Sequence, residues 1–226
     1  LITAFILLSL AIAPGIVIVL YVYLKDHEPE PLHLLGKCLL GGTLSIIPAV
    51  LLELFFDFLG LKNDVNNYIL TAGHALSIGF SEEIAKYYVL LFIAYSHKDF
   101  DEPYDGIVYS IMVGMGFATI ENIMYVLEGG TGVALLRMFT SVPAHASFAT
   151  LMGFFVGLSK FGKNPFVMRT LGLWLAILFH AAYDFFLFTG NAWLIFLGGL
   201  GSLLIGVWLS FKAMKWHRDI SPFKPS

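Results

Sequence analysis

Glu82, Glu83 and Lys86 lie within the stretch Gly79-Phe80-Ser81-Glu82-Glu83-Ile84-Ala85-Lys86-Tyr87, in the middle of an apolar run from Tyr68 to Ser96. A run of that length and hydrophobicity reads as a membrane-spanning helix, and an ionisable side chain at the bilayer centre costs about 2.5–3.5 kcal/mol on the insertion scale. Two carboxylates and an ammonium there need partners on neighbouring helices. Further polar residues recur inside other apolar segments: Glu121 and Asn122, His145, then His180 and Asp184. Together they read as one buried site assembled from four helices.

Consecutive residues on a helix diverge by about 100°, so Glu82 and Glu83 point apart yet can both border a broad cavity. Glu82 and Lys86, four apart, share a face, so the lysine can neutralise one carboxylate and leave the other for chemistry. The bland alternative is a buried ion pair that only joins helices. His180 and Asp184 have the same spacing, which lets the aspartate orient the imidazole or share a ligand or water with it. Asn122 brings an amide able to polarise a carbonyl, and alone it equally suits an interhelical hydrogen bond. His145 follows Pro143, where a helix break lets a side chain face a cavity.

Two chemistries fit this set. In the first, His145, His180 and a carboxylate from Glu121 or the glutamate pair hold Zn2+, while a free glutamate takes a proton from the bound water. In the second there is no metal; glutamate and histidine activate water and Asn122 or a histidine steadies the oxyanion. The HExxH signature is absent. Two histidines converging with several carboxylates favour zinc, with His145, His180 and Glu121 as the ligand set.

The remainder of the chain must position these groups in lipid. Hydrophobic residues make up 58% of the 226 and charged residues 13%, the composition of a polytopic membrane protein. The expected fold is all-α, a membrane helix bundle of seven or eight transmembrane helices forming a single domain over residues 1–226. The net charge of −3 is small and the basic residues are scattered over short connections, which argues against a nucleic-acid partner. The single cysteine, Cys38, has no intramolecular disulfide partner and reads as a small apolar residue.

With about 20 apolar residues needed per crossing, the expected spans are 1–24, 38–60, 68–96, 106–128, 133–160, 167–189 and 192–212. The first lacks a basic leader and a clear cleavage site, so it reads as a retained helix. Pro143 breaks the fifth stretch, which is one kinked span or a short half-helix leading into a full one. Gly153 and Gly157 form a small-xxx-small pair suited to helix contact in lipid. Lysine and arginine crowd alternate connections and the basic tail at about 212–226. That bias puts the N-terminus outside and the C-terminus in the cytoplasm for seven spans. His27, His33, His97 and His217 are read as surface residues of loops or the tail, and His74 as a residue along an access path. The acidic loop from Asp99 to Asp105 can bind a cation, but a solvated cytoplasmic face is its expected use.

The chain resembles the PrsW family of bacterial intramembrane proteases, distant relatives of the CAAX prenyl endopeptidases. The resemblance spans nearly the whole chain and rests on Ala13-Pro14-Gly15, Glu82-Glu83-xx-Lys86, Phe100-Asp101-Glu102-xx-Asp105-Gly106, Gly116-Phe117-Ala118-Thr119 with Glu121-Asn122, His145-Ala146 and His180-xxx-Asp184. It implies a peptidase of the bacterial cell membrane that makes the first cut in a single-pass, membrane-anchored anti-sigma factor. The cut falls on the extracytoplasmic side, during a stress response. By that likeness Glu82, Glu83 and His180 are catalytic, with Glu121 and His145 next. The prenyl endopeptidases carry histidine where this chain has Glu121, which argues against prenylated substrates. The competing functions are a proton- or cation-coupled transporter, whose relays use the same residue types, and a non-catalytic membrane scaffold.

Overall fold

The computed structural model describes residues 2–225, so Leu1 and Ser226, the expected ends of the first span and of the domain, lie outside the described residues. In order, the helices are α1 (Ile2–Leu24), α2 (Leu32–Leu44), α3 (Ile46–Phe58), α4 (Tyr68–Leu90), α5 (Pro103–Phe139), α6 (Ser141–Phe161), α7 (Pro165–Phe188), α8 (Ala192–Leu194) and α9 (Leu200–Asp219). A π-helical turn, Leu91–Tyr95, extends α4, and a second, Ile195–Gly199, joins α8 to α9. The described residues contain no strand, as expected of an all-α protein. Among the described residues, five segments are long and apolar enough to cross a membrane: Phe5–Leu24, Leu32–Phe58, Pro103–Phe161, Pro165–Phe188 and Ala192–Asp219. The segment Pro103–Phe161 comprises α5 and α6, and the charge-bearing α4 is not among the five.

Local chemistry sets the helix ends. Asn67 caps α4, its side-chain oxygen accepting from the backbone N–H groups of Ile69 and Leu70 at 3.1 and 3.3 Å. Proline opens α5 and α7, where its missing N–H costs nothing because the first-turn donors have no intrahelical partner. The second span begins at Leu32, directly after Pro31, and breaks at Ser45, where Cys38–Gly60 was expected. Pro143 does not kink a span; it lies in the first turn of α6, where proline is tolerated. The break falls earlier, at Thr140 (φ −121°, ψ −75°), so the fifth stretch is a half-helix leading into a full one.

At the centre of the bundle stands α5, with Tyr104, Ile107, Tyr109, Ile111 and Met115 fully buried, and α1, α2 and α6 pack around it. On the other side α6 carries α7 and α9, while α4 lies against α7 and α3. The expected role of Gly153 and Gly157 holds: a Cβ at either would run into the backbone of α5, at Gly106 and Pro103 respectively. Large apolar side chains such as Phe5, Leu51, Ile69, Phe92, Phe166 and Trp193 cover the outside, a surface matched to hydrocarbon.

Two expectations fail here. His217 is not a tail residue at the surface: α9 runs on to Asp219 and the imidazole is fully buried, stacked on Phe154 with ring centroids 4.3 Å apart. The acidic loop is not simply a solvated face, since Phe100 and Glu102 are 1% exposed and Asp105 is 0% exposed. Its apolar members draw the acidic ones inward.

Candidate active site

Glu82, Glu83 and Lys86 lie on the part of α4 that faces α6 and α7, and all three are buried. Gly79, one turn earlier, makes the approach possible. A Cβ there would stand 3.1 Å from both the Ala181 nitrogen and the Ile177 oxygen of α7, so a side chain would hold the two helices apart. Lys86 Nζ donates to Glu82 Oε2 at 2.9 Å and to Glu83 Oε1 at 2.8 Å, and it sits 4.0 Å from the centre of the Phe117 ring. The ammonium thus bridges the adjacent carboxylates, satisfying charges that would be prohibitive alone.

The histidines close around this pair. His180 Nδ1 is 2.9 Å from Glu83 Oε1, and its Nε2 lies 3.3 Å from Asp184 Oδ2 and 3.9 Å from Glu82 Oε2. The ring stacks on Phe148 with centroids 4.7 Å apart. His145 Nδ1 is 3.3 Å from Lys86 Nζ and its Nε2 is 2.8 Å from Glu121 Oε2. A lysine ammonium only donates, so Nδ1 accepts and the proton of a neutral ring lies on Nε2, donated to Glu121. The two imidazoles stand at right angles, 5.2 Å apart.

All the residues expected at the site, Asn122 apart, belong to this one cluster. Asn122 is fully buried, but its amide nitrogen donates to the Ala11 carbonyl at 2.9 Å and its oxygen accepts from Arg137 Nε at 2.8 Å. Both ends of the amide are engaged, and Asn122 is not among the residues lining the cavity. Instead it ties α1 and Arg137 to α5.

Arg137 belongs to the site although no motif or spacing in the sequence marks it. The helix changes direction at Gly130 (φ 69°, ψ −160°), a left-handed conformation that favours glycine, and this folds the following turns back. Arg137 thereby reaches Glu121, forming an ion pair at 2.9 Å. The glycine run Gly129-Gly130 after Glu121-Asn122 was the available signal of that reversal. Glu53 likewise projects from α3 into the same cavity, with no local motif to mark it.

That cavity has a volume of about 440 Å³ and is bordered by Glu82, Glu121, His145, His180 and Asp184 at its inner end, with Tyr125 and the exposed Glu128 further out. Glu82 borders it and Glu83 does not, so the two neighbouring carboxylates have different access to a substrate.

The donor set suits a metal. Glu82, Glu83, His145 and His180 can each bring a ligand atom within 4.8 Å of all the others, and imidazole and carboxylate are ordinary zinc donors. Glu121, expected among the ligands, lies outside that group because Arg137 and His145 hold it.

A helical membrane bundle whose interior holds converging glutamates and histidines beside a cavity has the groups that an intramembrane hydrolase needs to activate water. The family model described as PrsW family intramembrane metalloprotease matches residues 30–214. The protein named Protease PrsW of Geobacillus kaustophilus is 37% identical over 199 residues, covering 86% of this chain and 85% of that protein. Its namesake in Bacillus subtilis is 33% identical over 220 residues, 96% of this chain and 98% of the relative. That of Clostridioides difficile is 34% identical over 201 residues, covering 84% and 83%. No solved structure matches. The chain belongs to the PrsW family of intramembrane proteases. It is accordingly a multi-pass membrane peptidase with a protein substrate, and the transporter and scaffold readings give way.

Proposed function

We propose that this peptidase makes the first cut in a single-pass, membrane-anchored anti-sigma factor, on the extracytoplasmic side of the bacterial cell membrane. The supporting observation is the cavity wall that holds Glu82, His145 and His180 together. In this reading Glu82, the carboxylate that borders the cavity, takes the proton from the attacking water and passes it to the departing amine, while Glu83 and Asp184 hold the ring of His180 in place. Lys86 keeps the glutamate pair together, and Arg137 fixes Glu121, which orients His145. Zn2+ would be held by His145, His180 and Glu83 in place of the Lys86 ammonium that now contacts Glu83 and the His145 ring; when bound it would polarise the peptide carbonyl and make water acidic at neutral pH. The whole chain acts as one protease domain of seven spans, with α2 and α3 forming one crossing. The N-terminus lies outside, because that arrangement collects the lysines and arginines on the cytoplasmic side.

The test combines metal content of the purified protein with cleavage of a co-expressed anti-sigma factor before and after chelation. Near-stoichiometric zinc, with activity lost on chelation and restored by zinc, is the expected result. Full activity in metal-free protein would overturn the zinc part. An inserted Glu82→Gln variant that still cleaves would overturn the role of Glu82.

A further inference from the structure

A second cluster of carboxylates lies at the start of α5, 16 residues and about 24 Å along the helix from Glu121. Asp26 and Glu30, from the connection after α1, and Asp105, from the first turn of α5, can place carboxylate oxygens within 4.8 Å of one another. Glu30 is 4% exposed, Asp105 0% and the neighbouring Glu102 1%. Asp105 Oδ2 accepts from the backbone N–H groups of Asp101 and Glu102 at 2.7 and 2.8 Å. Its Oδ1 is buried without a hydrogen-bond partner, and so is Asp26 Oδ2. The Tyr109 hydroxyl donates to Glu30 and holds it in place.

His27 lies near Glu102, and Lys160 near Asp105 and Glu30, but neither pairs with them. Among the described residues, no lysine, arginine or histidine forms an ion pair with Asp26, Glu30, Glu102 or Asp105. Lys160, nearby, donates to the His97 carbonyl at 2.9 Å and lies over the Phe100 ring. Burial pushes the Asp26 carboxyl up to about 8 and the Glu30 carboxyl up to about 7, the direction expected where carboxylates crowd without a positive partner.

We propose that Asp26, Glu30 and Asp105, with Glu102 beside them, form a binding site for a hard divalent cation of the calcium or magnesium class. The donors are all oxygen, which selects hard cations over zinc. Oxygens around Ca2+ sit at about 2.3–2.6 Å, hence at most about 5 Å apart, and the spread of this set matches that shell. Magnesium, at about 2.0–2.1 Å, requires the carboxylates to close in. A bound cation would clamp the connection between α1 and α2 onto the N-terminus of α5, the helix that carries Glu121. The proposal is independent of the peptidase mechanism.

The test uses the full chain, chelator-washed in detergent, titrated with CaCl2 and with MgCl2 while Tm and calorimetric binding are followed. Repeating it in a His180→Ala background separates this site from the inner cluster. The expected result is one cation per chain, a rise in Tm retained in His180→Ala, and at least tenfold weaker binding in Asp105→Asn and in Glu30→Gln. Asparagine keeps an acceptor for the two backbone N–H groups and glutamine keeps one for Tyr109, so either variant can carry the comparison if the other fails to fold. Insensitivity of the wild-type protein to both cations would overturn the proposal. So would unchanged binding in both variants. A carboxyl cluster held together by shared protons would show that insensitivity, with Asp105→Asn more stable than wild type.

Discussion

Glu82→Gln and Glu83→Gln are the same chemical change at neighbouring positions, yet they are expected to fail in different ways. Glu83, 1% exposed, accepts from Lys86 at 2.8 Å and faces His180 Nδ1 at 2.9 Å. Glu82 has one contact of that quality, with Lys86 at 2.9 Å, since its approaches to His145 and His180 are both 3.9 Å. A hydrogen bond to a charged group contributes about 1.5–3 kcal/mol, so Glu83→Gln should lose roughly that much more stability than Glu82→Gln. Cleavage should fall in both, by about 10²–10⁴-fold in Glu82→Gln, the range for loss of a general base. Equilibrium unfolding in detergent micelles, followed by tryptophan fluorescence, reads the first quantity, and cleavage of a co-expressed substrate reads the second. Equal destabilisation, or greater loss in Glu82→Gln, would refute the division into a buried organiser and a cavity-facing reactant.

Arg137→Gln should lower cleavage about tenfold through misorientation of His145, and Arg137→Lys should not restore it, because a lysine cannot supply the fork that reaches both Glu121 and Asn122. A cleavage assay on the three proteins checks this. Gly79→Ala should cost about 1–3 kcal/mol by overpacking and reduce activity, since its Cβ would meet backbone of α7 at 3.1 Å on two atoms; unfolding and cleavage measured together decide it. Asp184→Asn should weaken metal retention or activity by about 10–100-fold while the protein still folds, as expected for a residue that orients a ligand histidine. Metal content after dialysis is the readout.

The inner cluster was legible because ionisable residues inside apolar runs have few places to go. Once Glu82, Glu83 and Lys86 are committed to lipid depth, His145, His180 and Asp184 on other runs are the available partners, and they meet in the structure. Direction was not legible. Asn122 looked suited to an oxyanion, but whether an amide faces a cavity or a neighbouring helix depends on packing, and here α1 takes it. Arg137 was hidden by the reversal at Gly130, a tertiary consequence of one backbone angle that hydropathy does not register. Likewise Glu102 and Asp105 read as water-facing by charge, and it is Phe100, 1% exposed beside them, that carries the loop into the bundle. His217 was misplaced for the opposite reason: a basic tail conceals that its helix continues and buries one ring.

The placing of Glu82 and His180 on a cavity wall inside the bundle has a consequence for what can be cut. In an intact transmembrane helix each carbonyl is committed to its own i+4 N–H group and the side chains around it shield the peptide bond. The scissile bond must come from a stretch that has unwound or was never helical. Sensitivity to cutting then depends on the local helix propensity of the substrate: glycine near the bond, about 1 kcal/mol worse than alanine in a helix, would hasten cleavage, and an alanine- or leucine-rich stretch would slow it.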